Sequence, residues 1–174
     1  MLFRSAVSDD WLRRVADGAL FGAAMAERTA ATETTTTLTR HVEGGWILNG
    51  EKYYSTGTIY ASWIVAIARE GADRVTLAVP VSHAGVSVCD DWDGFGQRLT
   101  GSGTTRFDRV HVADDNIIRR HAADSWPEDS YLIAFYQLFH LAALTGIARA
   151  VLRDAIRSEE HTSELQSPCN LVCR

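Results

Sequence analysis

Hydrophobic and polar positions change period along this chain. Over Ala6–Glu27 the apolar residues Trp11, Leu12, Val15, Ala19, Leu20 and Ala23 recur at three- and four-residue steps, the spacing of one helix face. Ser8 or Asp9 could cap its start, and Gly18 and Gly22 leave open a break into two short helices. Beyond it the runs shorten. Thr34–Val42 and Trp46–Leu48 are rich in β-branched and aromatic residues, and Glu43-Gly44-Gly45 between them is a hairpin signal. Asn49-Gly50-Glu51 reads as a second reverse turn, because Asn-Gly tolerates positive φ, and delivers the chain to Lys52–Gly57. Trp63–Ala68, Arg74–Val81, Gly85–Cys89 and Thr104–Val112 are further strands joined by short turns. That density predicts an antiparallel β-barrel or sandwich. Asp114–Arg120 and His121–Asp129 read as a polar connection. Pro127, followed by Glu128 and Asp129, marks a helix start, and Tyr131–Ile156 is one long helix. Its apolar residues run almost all round through Ala148, so a membrane span competes with a buried bundle helix. Gln137, His140 and Thr145 interrupt it, and Arg149, Arg153 and Asp154 follow one turn later; these favour the bundle helix.

Composition narrows the class. At 174 residues, 46% hydrophobic and 22% charged, the chain has globular values. A net charge of −5 with no Lys/Arg cluster argues against a general nucleic-acid binder. Three scattered cysteines make no disulfide framework, and no secretory pattern opens the chain, so a cytoplasmic setting is expected. The two ends have a different origin. Arg157–Ser167, RSEEHTSELQS, matches the translation of a common sequencing adapter, and Met1–Ser5 matches its reverse complement read from a GTG start. Residues 1–5 and 157–174 are therefore expected to be adapter-derived and carry no weight for the fold.

Two stretches hold candidate chemistry. Tyr54-Ser55-Thr56-Gly57 stacks an aromatic plane, hydroxyl donors and a close-approach glycine, a set that could line one face of a flat heteroaromatic cofactor. Asp90–Thr104 is glycine-rich. Its carboxylates lack the further ligands of a calcium loop, and Gly94-x-Gly96 and Gly101-x-Gly103 are not dinucleotide fingerprints. What remains is a loop whose glycines admit a ligand, with Arg98, Thr100, Ser102 and Thr104 as donors and Trp92 and Phe95 as an apolar wall. The six threonines of Thr32–Thr39 suit a strand. His41, His83, His111 and His121 show no metal-ligand spacing, so no metal is expected.

Leu48-Asn49-Gly50-Glu51-Lys52, an aromatic pair and Ser55-Thr56-Gly57 together resemble the middle β-domain of the acyl-CoA dehydrogenase superfamily. Asp90-Asp91-Trp92-Asp93-Gly94-Phe95-Gly96-Gln97-Arg98 is more similar to its flavin-dependent monooxygenase branch, the dibenzothiophene monooxygenase-like enzymes. The resemblance implies an α+β fragment. Residues 6–28 would end an N-terminal helical domain, 29–120 form the flavin-binding β-domain, and 121–156 the linker and first helix of a C-terminal four-helix bundle. It implies reduced FMN supplied by a separate reductase, with FAD as the alternative, and oxygenation of a small sulfur-containing or aromatic substrate by a homo-oligomer, dimeric or tetrameric. Tyr54 would pack on the flavin ring, and Tyr54, Ser55, Thr56 and Gly57 would bind it. Thr56, with Ser55 as backup, would hydrogen-bond at the reactive edge; Trp92, Phe95, Arg98 and Ser102 would shape the substrate pocket. Where the family has Thr-Glu-Pro this chain carries Ala26-Glu27-Arg28. Two other readings stay open: an acyl-CoA dehydrogenase that binds FAD, and a truncated fragment with no activity of its own.

Overall fold

The structure, a computed structural model, describes residues 6–28, 34–122 and 130–165, and side chains over 9–28, 34–122 and 134–159. The chain divides into two compact units, Met1–Trp126 and Pro127–Arg174.

The first unit opens with α1 (Ala6–Ala16), supported on its surface by Arg13 and Arg14 reaching back to Asp10. The expected helix through Glu27 is cut short. Gly18 sits at φ +91 and the Ala19 amide reaches back to the Arg14 carbonyl, closing the helix with a left-handed glycine cap. The apolar residues beyond it serve a strand instead: β1 (Phe21–Ala24) runs parallel to β4 (Trp63–Glu70). Trp11 meets Phe21 and Trp63 edge-on, with the Arg14 guanidinium over the Trp11 and Trp63 rings.

Six more strands complete the sheet: β2 (Thr37–Arg40), β3 (Trp46–Ser55), β5 (Asp73–Pro80), β6 (Val86–Val88), β7 (Gly103–Val112) and β8 (Ile117–His121). Their order is β6-β7-β3-β2-β4-β5-β8, with β1 beside β4. Pairing is antiparallel except where β1 and β2 join β4. The sheet does not close into a barrel; β6 and β8 stand at its two ends. Leu38, Trp46, Leu48, Ile64, Leu77, Val79, Phe107 and Val110 form the buried core, each contributing about 1.5–3 kcal/mol by leaving water.

Two expectations need correction. Asn49-Gly50 is no reverse turn: β3 runs through it unbroken. Between Leu48 and Gly50 the register slips, because β7 carries one extra residue at Asp108–Arg109. Arg109 takes φ 49 there, and the Asn49 side-chain oxygen accepts its amide at 2.8 Å. The asparagine thus satisfies a bulge in its neighbour. The polar run after Asp114 is also more than a connection, since β8 pairs with β5. Its arginines read as loop but belong to an edge strand, where charge is tolerated. Arg120 pairs with Glu70 and lies 4.6 Å from the Trp46 ring centroid.

The second unit is α2 (Ser130–Leu165), which continues past Arg157. Within it Ala134–Glu159 is long and apolar enough to cross a membrane by length and composition alone. Its large apolar side chains are half to two-thirds exposed. The expected Trp126-Pro127 helix start and the end segments 1–5 and 166–174 lie outside the described residues.

Candidate functional site

The strand that carries the site is bent into place. Along β3 the inward positions are Trp46, Leu48 and Lys52, and a period of two would turn Tyr54 inward next. A second register shift, between Lys52 and Ser55, inserts one extra residue on the β3 side, where Tyr54 adopts φ 56. The phase inverts: Ser55 turns into the core and the Tyr54 ring turns out, 60% exposed. A bulky residue in the left-handed region costs about 1–2 kcal/mol.

Tyr54 there meets Trp92 edge-on, with ring centroids 6.0 Å apart. The two rings belong to a cleft of about 270 Å³ lined by Arg28, Tyr53, Tyr54, Asp91–Gly94 and Ser102–Thr104. The Arg28 guanidinium stacks 4.0 Å from the centroid of the Tyr53 ring at one side. A chain of hydroxyls borders it. Thr56 Oγ1 lies 2.9 Å from Ser102 Oγ, which lies 2.8 Å from Thr100 Oγ1. The Gly57 amide donates to the Thr100 carbonyl at 2.8 Å, tying the two candidate stretches together through the backbone as well.

Among the expected site residues, Tyr54, Trp92 and Ser102 line the cleft and Thr56 stands one hydrogen bond behind Ser102. Ser55 is fully buried, and its hydroxyl has no hydrogen-bond partner among the described residues. Phe95 is wholly exposed and Arg98 exposed, and neither lines the cleft. No group of three or more His, Cys, Asp or Glu suited to a metal occurs among the described residues.

Sequence reasoning missed the support behind the cleft. Lys52 is completely buried and donates to Glu27 Oε1 at 2.5 Å, and Glu27 also accepts from the Thr35 amide and hydroxyl and the Thr36 amide. Burial alone would raise the Glu27 pKa. The Lys52 hydrogen bond and the threonine donors outweigh it and bring the carboxyl down from its ordinary 4.5 to about 2. Burial also pulls the Lys52 ammonium below its usual range, with Glu27 opposing. With Tyr53 N–H donating to the Ala26 carbonyl, this pair pins the segment bearing Arg28 onto β3. The one signal was a lysine on the parity of β3 that also carries Trp46 and Leu48. Asp91, one of the loop's carboxylates, has a structural part as well: both its oxygens accept from Thr104.

A flat polar-edged ring system suits this place. Tyr54 and Trp92 offer apolar planes, and the Thr56–Ser102–Thr100 hydroxyls offer donors and acceptors at one border. That donor set fits a flavin.

Comparison with known proteins points the same way. The family profile for the acyl-CoA dehydrogenase middle domain matches residues 22–110, just over half of the chain. A dibenzothiophene monooxygenase of Rhodococcus erythropolis is 32% identical over 125 residues, covering 68% of this chain and 28% of that protein. The amino sugar nitrososynthase DnmZ of Streptomyces peucetius is 35% identical over 130 residues, covering 70% and 32%. Among solved structures, FMN-bound TdsC from Paenibacillus sp. A11-2 superposes with a TM-score of 0.62 at 28% identity, over 70% of this chain and 32% of that one. The chain thus spans less than a third of the length of these relatives.

Proposed function

Because the chain belongs to the acyl-CoA dehydrogenase family, whose middle domain it carries, we propose that it is the flavin-contacting segment of an FMN-dependent monooxygenase. On this reading the whole enzyme adds one oxygen atom from O2 to a small sulfur-containing or aromatic substrate. The observation that carries it is the Thr56–Ser102 hydrogen bond beside the Tyr54–Trp92 pair, which joins both candidate stretches at one cleft. The FMN in TdsC supports the choice of cofactor.

When bound, reduced FMN supplies the electrons that activate oxygen. This chain's residues do the rest. Tyr54 packs against the ring system, and the Gly57 amide holds the strand end to the Thr100 carbonyl. Thr56 offers its hydroxyl at the reactive edge, oriented by Ser102 on one side and the Tyr54 carbonyl on the other. Ser55, turned into the core, leaves that role to Thr56. Trp92 walls the cleft and keeps water from the reacting centre. A reductase that delivers the reduced flavin, a homo-oligomeric assembly and a cytoplasmic setting belong to the same proposal. So does the origin of residues 1–5 and 157–174 in adapter sequence, with α2 up to Ile156 as the first helix of a bundle completed by sequence outside this chain.

The test is to recover the reading frame flanking Ala6–Ile156 from the source DNA and express the complete enzyme. Given reduced FMN, labelled O2 and a thiophene or thioether, it is expected to place one labelled oxygen in each product molecule. Bleaching of bound flavin by an acyl-CoA without oxygen would instead identify a dehydrogenase. Failure to bind any flavin would sink both. DnmZ favours a second acceptor, an amine nitrogen; Asp93, a carboxylate lining the cleft beside two aromatic rings, is the feature that suits it.

A further inference from the structure

Within the loop, the Asp91–Asp93 turn that carries Trp92 is tied to the sheet by one side chain. Asp91 Oδ1 accepts the Thr104 amide at 2.6 Å and Asp91 Oδ2 accepts the Thr104 hydroxyl at 2.7 Å. Thr104 is buried in β7, so the clamp is anchored to the sheet rather than to another loop. The seat is shaped for it. A Cβ on Gly103 would come within 1.9 Å of the Cys89 carbonyl oxygen and 2.7 Å of Asp91 Oδ1, so only glycine lets the loop lie this close. One residue on, Trp92 closes its own turn by donating from Nε1 to the Gly96 carbonyl at 2.8 Å. Its ring packs so near Gly94 that a Cβ there would lie 2.2 Å from Trp92 Cζ2. The same ring meets Tyr54 in an edge-on pair. Among the described residues no other hydrogen bond ties the Asp91–Asp93 side chains to the sheet.

We propose that Asp91 is a positioning residue: its two-oxygen grip on Thr104 sets Trp92 against Tyr54, and the aromatic wall so fixed makes the cleft select flat sulfur heteroaromatics over aliphatic thioethers. The selectivity half rests on the proposed function, with Tyr54 on the flavin side of the cleft and Trp92 on the side left to the substrate. Aromatic pairs gain from edge and offset-face geometry beyond the area they bury, and saturated rings do not. A tryptophan free to swing would keep its area and lose that geometry.

The experiment uses the 174-residue chain with two probes, 1-benzothiophene and tetrahydrothiophene, and follows the Trp92 indole N–H by NMR. Asp91→Ala is expected to shift the Trp92 signal toward a solvent-exposed position and to weaken 1-benzothiophene roughly two- to tenfold, leaving tetrahydrothiophene unchanged. Asp91→Asn keeps an acceptor for the Thr104 amide and is expected to restore most of both. On a Trp92→Ala background Asp91→Ala should add nothing, an outcome that general loosening of the fold would not give. If Asp91→Ala does not fold, Thr104→Val removes the hydroxyl half of the grip and should give the smaller version of the same change. An unmoved Trp92 signal in a folded Asp91→Ala or Thr104→Val chain overturns the positioning role. If the signal moves but the selectivity ratio does not, the specificity claim is overturned. If the unsubstituted chain takes neither probe while Trp92 still moves, the grip on Trp92 stands and the substrate reading of the cleft falls.

Discussion

Tyr54 spends conformational energy to stand where it does. It is an aromatic residue in the left-handed region, more than half exposed, so little burial offsets the strain. Asparagine adopts that conformation readily. Tyr54→Asn is therefore expected to stabilise the fold by up to about 1 kcal/mol in urea unfolding while weakening flavin and heteroaromatic binding, the trade-off of a functional outlier. Thr56→Val should leave stability nearly unchanged, since its hydroxyl bonds are partly exposed, and cost the complete enzyme roughly tenfold or more in turnover. The residue types of this site were readable in the sequence, because aromatic, hydroxyl and glycine in four positions are seldom a mere strand. Their directions were not. Whether Tyr54 or Ser55 faced the cleft depended on one extra residue in the pairing with β7, and no periodicity within β3 discloses its partner's register.

At the scale of elements, the buried Lys52–Glu27 pair joins β3 to the segment that precedes β2. Removing one partner leaves the other charged and dry, so Lys52→Met is expected to cost about 3–5 kcal/mol in denaturant midpoint. The pH dependence has a definite sign. Glu27 has a folded pKa of about 2 against an ordinary 4.5, so its contribution is complete above pH 4.5 and is lost as pH falls through about 2. At about 1.4 kcal/mol per unit the swing is on the order of 3 kcal/mol, and Lys52, protonated throughout this range, adds nothing to it. An acid titration of stability should show that loss in the parent chain and none of it in Glu27→Gln. The strands β4, β5 and β7 follow their sequence patterns because each is rich in β-branched or aromatic residues and brings apolar ones to the core: Ile64 in β4, Val75, Leu77 and Val79 in β5, Phe107, Val110 and Val112 in β7. By contrast β1 and β8 were hidden: β1 is four small or apolar residues that suit a helix equally well, and three of the five residues of β8 are arginine or histidine. Each is a strand only because a finished edge is there to receive it.

For the whole molecule, the second unit sets the behaviour in solution. Along α2, Leu138, Phe139, Leu141, Leu144, Ile147, Val151 and Leu152 are all more than 60% exposed, a surface that soluble chains seldom leave uncovered. The isolated chain is expected to self-associate with rising concentration, as sedimentation would show, and Leu138→Glu with Leu144→Glu should shift it toward monomer. The first unit has its own core and should keep its unfolding transition through those changes. Its two bulges carry one further consequence. The extra residue of β7 at Asp108–Arg109 and that of β3 near Tyr54 lie on opposite strands of one pair, so each cancels the other and both strand ends come back into step. Single insertions here are therefore not independent events. A lineage that lost either one alone would throw its hairpin and its cleft half a pleat apart, so the two should be gained or lost together in descent, as a matched pair.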